Sequence, residues 1–230
     1  MLNIMKLEMK KYKMRGTVIG GFITTLIWMA FIILINYDEE SVMKNYEDVI
    51  GFINITVSCT FIIFAATLIA KYIINEYKDK TITVLFMYPI PRKKFLISKL
   101  IIISAFTFIF GIISKLIIFS GVYFFNQYAH FFEQELTSNF LWKNGVELII
   151  NSFLMSCVSL IPLYFGMRKH SVSTTIVSSV IISLLLYSNV SVSGSNFTLS
   201  SIVIIPTIVS IVGLLIAYSV IHRIEQKDVV

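Results

Sequence analysis

The sequence predicts an all-α protein, a polytopic bundle of six membrane-spanning helices. Of its 230 residues, 57% are hydrophobic and only 14% are charged, whereas about a quarter of the residues in an ordinary soluble domain are charged. Apolar stretches long enough to cross a bilayer alternate with short polar connections. Six such helices leave little room for anything else, so we expect a single transmembrane domain over residues 1–230.

Residues 1–15 precede the first apolar stretch and hold five Lys or Arg side chains among Leu, Ile and Met residues. The segment has no short apolar centre of the kind found in a cleavable signal peptide. It is interpreted as a basic flank that orients the first span and as an amphipathic helix in the membrane interface. The two interpretations are compatible.

Six apolar stretches predict the spans, at about 17–36, 51–74, 98–125, 146–166, 172–189 and 201–221. The third is unusually long and contains Lys115, so it is expected either to tilt strongly or to break near its outer end. Residues 167–171 hold Arg168 and Lys169. Because adjacent charges at the bilayer centre are costly, this segment favours a turn between two antiparallel helices.

The basic residues predict the orientation of the bundle. Sixteen of the nineteen Lys and Arg residues lie in the N-terminal flank, residues 71–99, the 167–171 turn and the tail after His222. The opposite connections hold Lys44 and Lys143 together with most of the acids. By the positive-inside rule, both termini and the 75–98 connection are cytoplasmic, in a multi-pass protein of the cell membrane. The basic charge reflects this topology, and no nucleic-acid partner is expected.

No catalytic or cofactor motif is found, so the chain is not expected to be an enzyme. It lacks GxxxxGK[ST], HExxH and GxSxG, the patterns of phosphate-binding loops, zinc proteases and serine hydrolases. Cys59 and Cys157 lie in separate apolar spans and are expected to pack as small apolar residues. The three His residues lie in separate connections, which argues against a metal site. ATP hydrolysis, where transport needs it, has to come from another polypeptide.

Lys115 is the one ionisable residue placed well inside a predicted span. It follows Lys99 by sixteen residues, about 24 Å along a helix, so the preferred interpretation is that its side chain reaches the outer interface. The alternative is an intramembrane or interfacial charge pair, for which Glu147 is the candidate partner.

The fifth span is rich in hydroxyl side chains. Ser171, Thr174, Thr175 and Ser178 recur at helical spacing. Small hydroxyl residues usually mark the contact between helices inside a membrane, so packing is the preferred interpretation. A face lining a pore is the alternative.

The connection between the second and third spans carries the most specific pattern. Thr81, Val84, Leu85 and Tyr88 share one face at i, i+3, i+4 and i+7, which predicts a short amphipathic helix ending before Pro89. Charged residues flank this ridge. The pattern is typical of a helix that docks into a groove of a partner; the alternative is that the ridge lies on lipid.

Here the chain resembles the permease subunits of ABC-2 type transporters. In that family the second span is followed by Glu, Gly-Thr, Leu, Pro, Arg and Lys at fixed offsets. This sequence has the corresponding residues Glu76, Thr81, Leu85, Pro89, Arg92 and Lys99. It departs from the pattern at Lys80, where the family often has Gly.

The resemblance implies a half-transporter. A second permease chain, identical or related, completes the translocation path, and two separate ATPase subunits bind ATP and Mg²⁺. The surface helix is then similar to the family's coupling helix, which the closing ATPases push. The residues implied in docking are Glu76, Asp79, Thr81, Val84, Leu85, Tyr88, Pro89 and Arg92.

The cargo is expected to be amphipathic or hydrophobic. The outer connections, at 37–50, 126–145 and 190–200, are too short for a capturing domain, and the predicted interior has few fixed charges. The chain is similar to small ABC-2 permeases that export, or confer immunity to, peptides such as lantibiotics, bacitracin or phenol-soluble modulins. Membrane lipid is an expected contact. A secondary transporter and a non-transporting scaffold or sensor subunit are the alternative functions.

Overall fold

The computed structural model describes residues 15–37, 43, 45–78, 92–129, 138–187 and 205–226. Every regular element within them is helical, which confirms the all-α prediction. A π-helical segment, Ala70–Ile74, joins α2 to α3. The helices are α1 (Arg15–Tyr37), α2 (Tyr46–Ile69), α3 (Asn75–Lys78), α4 (Arg92–Ala129), α5 (Ser138–Val158), α6 (Pro162–Lys169), α7 (Val172–Tyr187) and α8 (Ile205–Gln226).

The helices have the length and composition of a polytopic membrane bundle. Four described stretches are long and apolar enough to cross a membrane: Gly16–Asn36, Tyr46–Lys78, Lys94–Gln127 and Ser138–Lys169. Two shorter apolar helices, Val172–Tyr187 and Pro206–Ile221, match the fifth and sixth predicted spans. The amphipathic helix predicted before Arg15 and the coupling helix predicted at 81–88 lie outside the described residues.

The long third span is a single unbroken helix. Of the two alternatives for it, a break near its outer end is wrong, because α4 runs through 38 residues without interruption. At 1.5 Å per residue it is about 57 Å long, well over the thickness of a bilayer core of about 30 Å. The helix is therefore longer than the apolar layer is thick, which is consistent with the predicted tilt.

The fourth span, in contrast, is interrupted. A turn at 159–161 separates α5 from α6, and Pro162 begins the second helix. Proline suits the first turn of a helix, where its missing N–H needs no partner. In this turn the backbone hydrogen bonds join residues three apart instead of four, as in the bond from Leu160 N–H to Cys157 O at 3.2 Å. The predicted basic turn follows: α6 ends at Lys169, and His170 adopts a left-handed conformation with φ of 46°.

Helix α2 forms the centre of the bundle. It packs most extensively against α7 and α4, and Ile62, Ala65, Ala66 and Ile69 along it are fully buried. Helix α1 lies at the periphery, packed mainly on α4. A row of large apolar side chains on α1 faces outward, including Ile19, Ile27 and Leu34. This surface is the kind expected to face lipid or another membrane helix.

Three elements meet closely at Gly166 of α6. A Cβ atom at this position would collide with the hydroxyl of Thr175 in α7 and with Ile74 of the π-helical segment. The absent side chain therefore lets α6 and α7 approach the π-helical segment. One turn further on, the rings of Tyr77 and His170 stack with centroids 6.1 Å apart.

Candidate functional site: two buried lysines of α4

A buried ion pair closes the base of the connection between α3 and α4. Lys99 of α4 donates to the carboxylate of Glu76 in α3. Lys99 is 3% exposed and Glu76 is 8% exposed. The Lys99 ammonium also donates to the backbone carbonyl of Tyr72, at 2.6 Å, and lies 4.4 Å from the ring centroid of Phe95. We refer to Glu76, Lys99 and the Tyr72 carbonyl as the clamp.

The π-helical segment helps to build the clamp. Wide turns of this kind inside α-helices occur frequently at functional sites. Here the segment contributes Tyr72, whose carbonyl faces Lys99. The Tyr72 hydroxyl in turn lies 3.5 Å from the hydroxyl of Thr17 in α1. The clamp thus connects α4 to the π-helical segment, and through Tyr72 to the start of α1.

Two of the residues predicted for docking, Glu76 and Arg92, lie in the described part of the chain. Glu76 is buried and paired with Lys99, so it is not on a free docking surface. Arg92 is the first residue of α4. The remaining residues predicted for docking, Asp79, Thr81, Val84, Leu85, Tyr88 and Pro89, lie outside the described part of the chain. Their role in docking stays a prediction.

Lys115, the second buried lysine of α4, has different surroundings. Its side chain is 1% exposed, and its ammonium donates to Asn151 Oδ1 of α5 at 2.8 Å. The hydroxyl of Ser58 in α2 donates to the same oxygen at 3.2 Å. We refer to Lys115, Asn151 and Ser58 as the polar centre, which joins α2, α4 and α5 inside the bundle.

The polar centre corrects the preferred interpretation of Lys115. The side chain does not reach outward, because it points between three helices and is covered by them. Within the described residues no ion pair joins it to Glu147 either, although the two charges are close enough to interact electrostatically. The Asn151 amide accepts a hydrogen bond from one of the three ammonium donors of Lys115. Neither the outward orientation nor the charge pair with Glu147 predicted this partner.

A cavity of about 130 Å³ adjoins Lys115. It lies between the first half of α2, the second half of α4 and the first half of α5. Most of its lining is apolar, and Asn54 and Asn144 are the other polar residues that line it. The lining residues are Ile50, Ile53, Asn54, Lys115, Leu116, Phe119, Phe140, Leu141, Asn144, Gly145 and Leu148.

The hydroxyl-rich helix α7 has a packing role. Thr175, Ser178, Ser179 and Ser183 are buried, and their hydroxyls donate to backbone carbonyls of their own helix. The helix packs against the central α2. Small side chains with internally satisfied hydroxyls permit this close contact. Of the four residues for which packing was predicted, Thr175 and Ser178 are buried, whereas Ser171 and Thr174 are only half-buried, so packing is supported for the first two.

The two cysteines are free thiols in separate helices, Cys59 in α2 and Cys157 in α5. Within the described residues, no group of three or more His, Cys, Asp or Glu side chains is arranged to hold a metal ion.

Sequence reasoning missed two partners in these sites. Asn151 was not singled out, although an amide inside an apolar span is itself a sign of a polar interaction there. The pairing of Glu76 with Lys99 was also missed, although both had been noted as part of one motif. Opposite charges at facing ends of consecutive spans are the signal that finds such a pair.

Comparison with known proteins identifies the family of the chain. The family model described as "ABC-2 family transporter protein" matches residues 4–186. The chain is also similar to an uncharacterized protein of Bacillus subtilis (strain 168), YcbO, with 37% identity over 99% of this chain and 100% of the relative. No solved structure matches the chain significantly.

Proposed function

Since the chain belongs to the ABC-2 family of transporter proteins, we propose that it is the permease subunit of an ATP-driven exporter. Members of this family are the membrane component of ABC transporters, are not themselves ATPases, and normally work with a separate ABC ATPase. The proposal adds the direction, the cargo and the means of coupling. ATP and Mg²⁺ would be held by two ATPase subunits below the membrane, and a second permease chain would complete the path.

The observation that carries the proposal is the clamp at the base of the 79–91 connection. The clamp ties the last turn before this connection to the second turn of α4. A buried ion pair with a further hydrogen bond resists separation, because either charge left alone in the bundle would be costly. A push on the connection would therefore move α3 and α4 together. Rigid displacement of packed elements is a common way to convert a local push into a larger rearrangement.

The positive-inside distribution supports the orientation that this coupling requires. Sixteen of nineteen basic residues lie on the face proposed to be cytoplasmic, which includes both termini and the 79–91 connection. The same distribution assigns the chain to the cell membrane as a multi-pass protein. An ATPase in the cytoplasm can then reach the connection directly.

An amphipathic cargo, such as an antimicrobial peptide, is supported by the polarity of the bundle. Buried ionisable side chains are few among the described residues, and Glu76 and Lys99 neutralise each other. Such an interior offers little to hold a strongly ionic cargo. By family resemblance, export of peptides or immunity to them is the proposed biological role.

The first test is purification of the tagged chain from its native membrane in mild detergent. Co-purifying proteins are identified, and ATP hydrolysis by the preparation is measured. A stoichiometric nucleotide-binding subunit is the expected result. Its reproducible absence, with the chain itself intact, would contradict the proposal.

A second test addresses docking. The double change Leu85→Asp and Tyr88→Asp alters the predicted apolar ridge, and we expect the ATPase to be lost while membrane insertion is unchanged. Thr83→Asp with Phe86→Asp is the matched control, because both positions lie on the opposite side of the same predicted helix. Retention of the ATPase by the first variant, or equal loss in both, would contradict docking through this ridge.

A secondary transporter is the second candidate, and one observation bears on it. Between α5 and α6 the backbone keeps helical dihedral angles at Ile161 but tightens to i→i−3 hydrogen bonds, an irregularity that is milder than the broken helices of such transporters. The two functions are distinguished by flux in proteoliposomes. Export that requires ATP and the partner ATPase supports the ABC mechanism, whereas flux driven by an ion gradient in this chain alone supports the alternative.

A further inference from the structure

We propose that the cavity beside Lys115 binds the acidic headgroup, carboxylate or phosphate, of a single membrane amphiphile. The cavity reaches the outer surface of the bundle, because two of its lining residues, Leu116 and Leu141, are 53% and 46% exposed. These residues belong to the apolar surface that faces lipid in a membrane bundle. A ligand can therefore enter sideways from the bilayer, with its headgroup toward Lys115 and its chain toward lipid.

Lys115 supplies the recognition of an acid. Its ammonium carries three donors, of which Asn151 accepts one. No carboxylate in the described residues lies within ion-pair distance of it. A buried charge held only by a neutral amide is costly, and an anion that binds beside it relieves that cost. An acidic headgroup provides both the charge and the acceptor oxygens.

The size and lining of the cavity favour a lipid over a peptide. The volume of about 130 Å³ is small beside the roughly 300–1,000 Å³ of a pocket for a drug-sized ligand, so it suits a headgroup fragment with a few methylene groups rather than a peptide. The wall is made mainly of Ile, Leu and Phe side chains, with the amides of Asn54 and Asn144 at its polar part. This combination suits an amphiphile with a small polar end and an extended apolar chain.

The position of the cavity along α4 agrees with a headgroup ligand. Lys115 lies sixteen residues after Lys99, about 24 Å along the helix, and the apolar layer of a bilayer is about 30 Å thick. With the clamp near one boundary, the cavity lies near the other. Trp142, next to the lining residue Leu141, is 78% exposed. Exposed Trp is typical of the interface between the apolar layer and the headgroups.

Glu147 modulates the site in this proposal. It interacts electrostatically with Lys115, Lys143 and Glu47. Its negative charge partly balances Lys115 and opposes an incoming anion. Removal of this charge should therefore strengthen the binding of an acidic headgroup, the opposite of the effect expected from removal of the Lys115 charge.

The test is native mass spectrometry of the purified chain in detergent, titrated separately with oleate, dioleoylphosphatidylglycerol and dioleoylphosphatidylcholine. We expect one saturable adduct with oleate or phosphatidylglycerol, bound about tenfold more tightly than phosphatidylcholine, because the choline of phosphatidylcholine offsets the charge of its phosphate. Tighter binding of oleate would show that the site recognises a carboxylate, and tighter binding of phosphatidylglycerol would show that it recognises a phosphate. Equal binding of all three would overturn the proposal.

Four variants locate the adduct. Lys115→Met and Gly145→Leu should each abolish the acidic preference, the second by filling the cavity, since a Cβ at Gly145 meets no atom within 4 Å. Glu147→Gln should increase the preference for acidic lipids. Gly16→Leu is the control, because a Cβ there is equally unobstructed and Gly16 lies outside the cavity.

Retention of the acidic preference by both Lys115→Met and Gly145→Leu would overturn the assignment to this cavity. The assignment would also be overturned if an amphipathic peptide saturated the cavity and neither acidic lipid competed with it. The measurement needs neither ATP nor a partner subunit, so its failure leaves the proposed transport function untouched.

Discussion

Lys99 and Lys115 lie in one helix, are both almost fully buried, and have opposite electrostatic surroundings. The Lys99 ammonium contacts a carboxylate, a backbone carbonyl and an aromatic ring. The Lys115 ammonium contacts the amide oxygen of Asn151. The first lysine is neutralised within the chain, whereas the second has its charge only partly balanced by the more distant Glu147.

The difference teaches that burial alone does not define the role of an intramembrane lysine. A charge neutralised by its own chain holds two helices together, because separation exposes both partners to an apolar environment. A charge without a contacting counter-ion adds little to stability and is available to an external anion. Three single variants test this division, in order of decreasing expected effect on stability, and a double variant placed after the first of them isolates the ion pair.

Lys99→Met should have the largest effect on stability. It removes the ammonium that contacts the buried Glu76 carboxylate, and breaking a buried ion pair in this way typically costs about 3–5 kcal/mol. The free energy of unfolding is measured by circular dichroism during titration of mixed micelles with sodium dodecyl sulfate. Lys94→Met is the control, because Lys94 is exposed and precedes the clamp by five residues. A loss no greater than in the control would show that the clamp does not hold these helices together.

The double variant Glu76→Gln with Lys99→Met should be more stable than the sum of its single changes predicts. With both charges absent, neither is left buried without a partner. The same unfolding titration, applied to the two single variants and the double variant, gives the coupling energy. Strict additivity would mean that the ion pair is not a functional unit.

Asn151→Leu should have an intermediate effect. It removes the acceptor shared by Lys115 and Ser58, and a buried donor left without a partner costs about 1–3 kcal/mol. Asn144→Leu is the matched control, since the Asn144 amide donates within its own helix, to the Phe140 carbonyl. Equal destabilisation by the two changes would show that the polar centre has no special stabilising role.

Lys115→Met should have the smallest effect on stability, below about 1 kcal/mol in either direction. The substitution removes a buried charge, and Asn151 Oδ1 keeps the hydrogen bond from Ser58. The same unfolding titration measures it. A loss as large as that of Lys99→Met would erase the distinction between the two lysines and imply a counter-ion for Lys115.

The sequence predicts the approximate position of the apolar helical stretches in the described residues, because the length of an apolar stretch is matched to the bilayer. The ends of the helices differ from the predicted ends of the spans. Helix α5, for example, begins at Ser138, eight residues before the predicted span. The turn before Pro162 was not placed, since proline is tolerated in membrane helices and does not by itself predict a break.

The candidate sites were predicted less completely than the helices. Lys115 was singled out from its charge, and Glu76 and Lys99 from the family motif, but neither signal tells which helix faces which. The rotation of α4 determines that Lys99 meets Glu76 and that Lys115 meets Asn151 rather than Glu147. Rotation is set by packing against neighbouring helices, which a single sequence does not reveal.

The close contact at Gly166 has a mechanical consequence. Because no side chain separates α6 from α7 and the π-helical segment, and because Tyr77 stacks on His170, the turn at His170 and the base of the 79–91 connection share one rigid support. The turn after α6 and the start of the 79–91 connection therefore lie side by side at one end of the bundle, where a single partner can contact both.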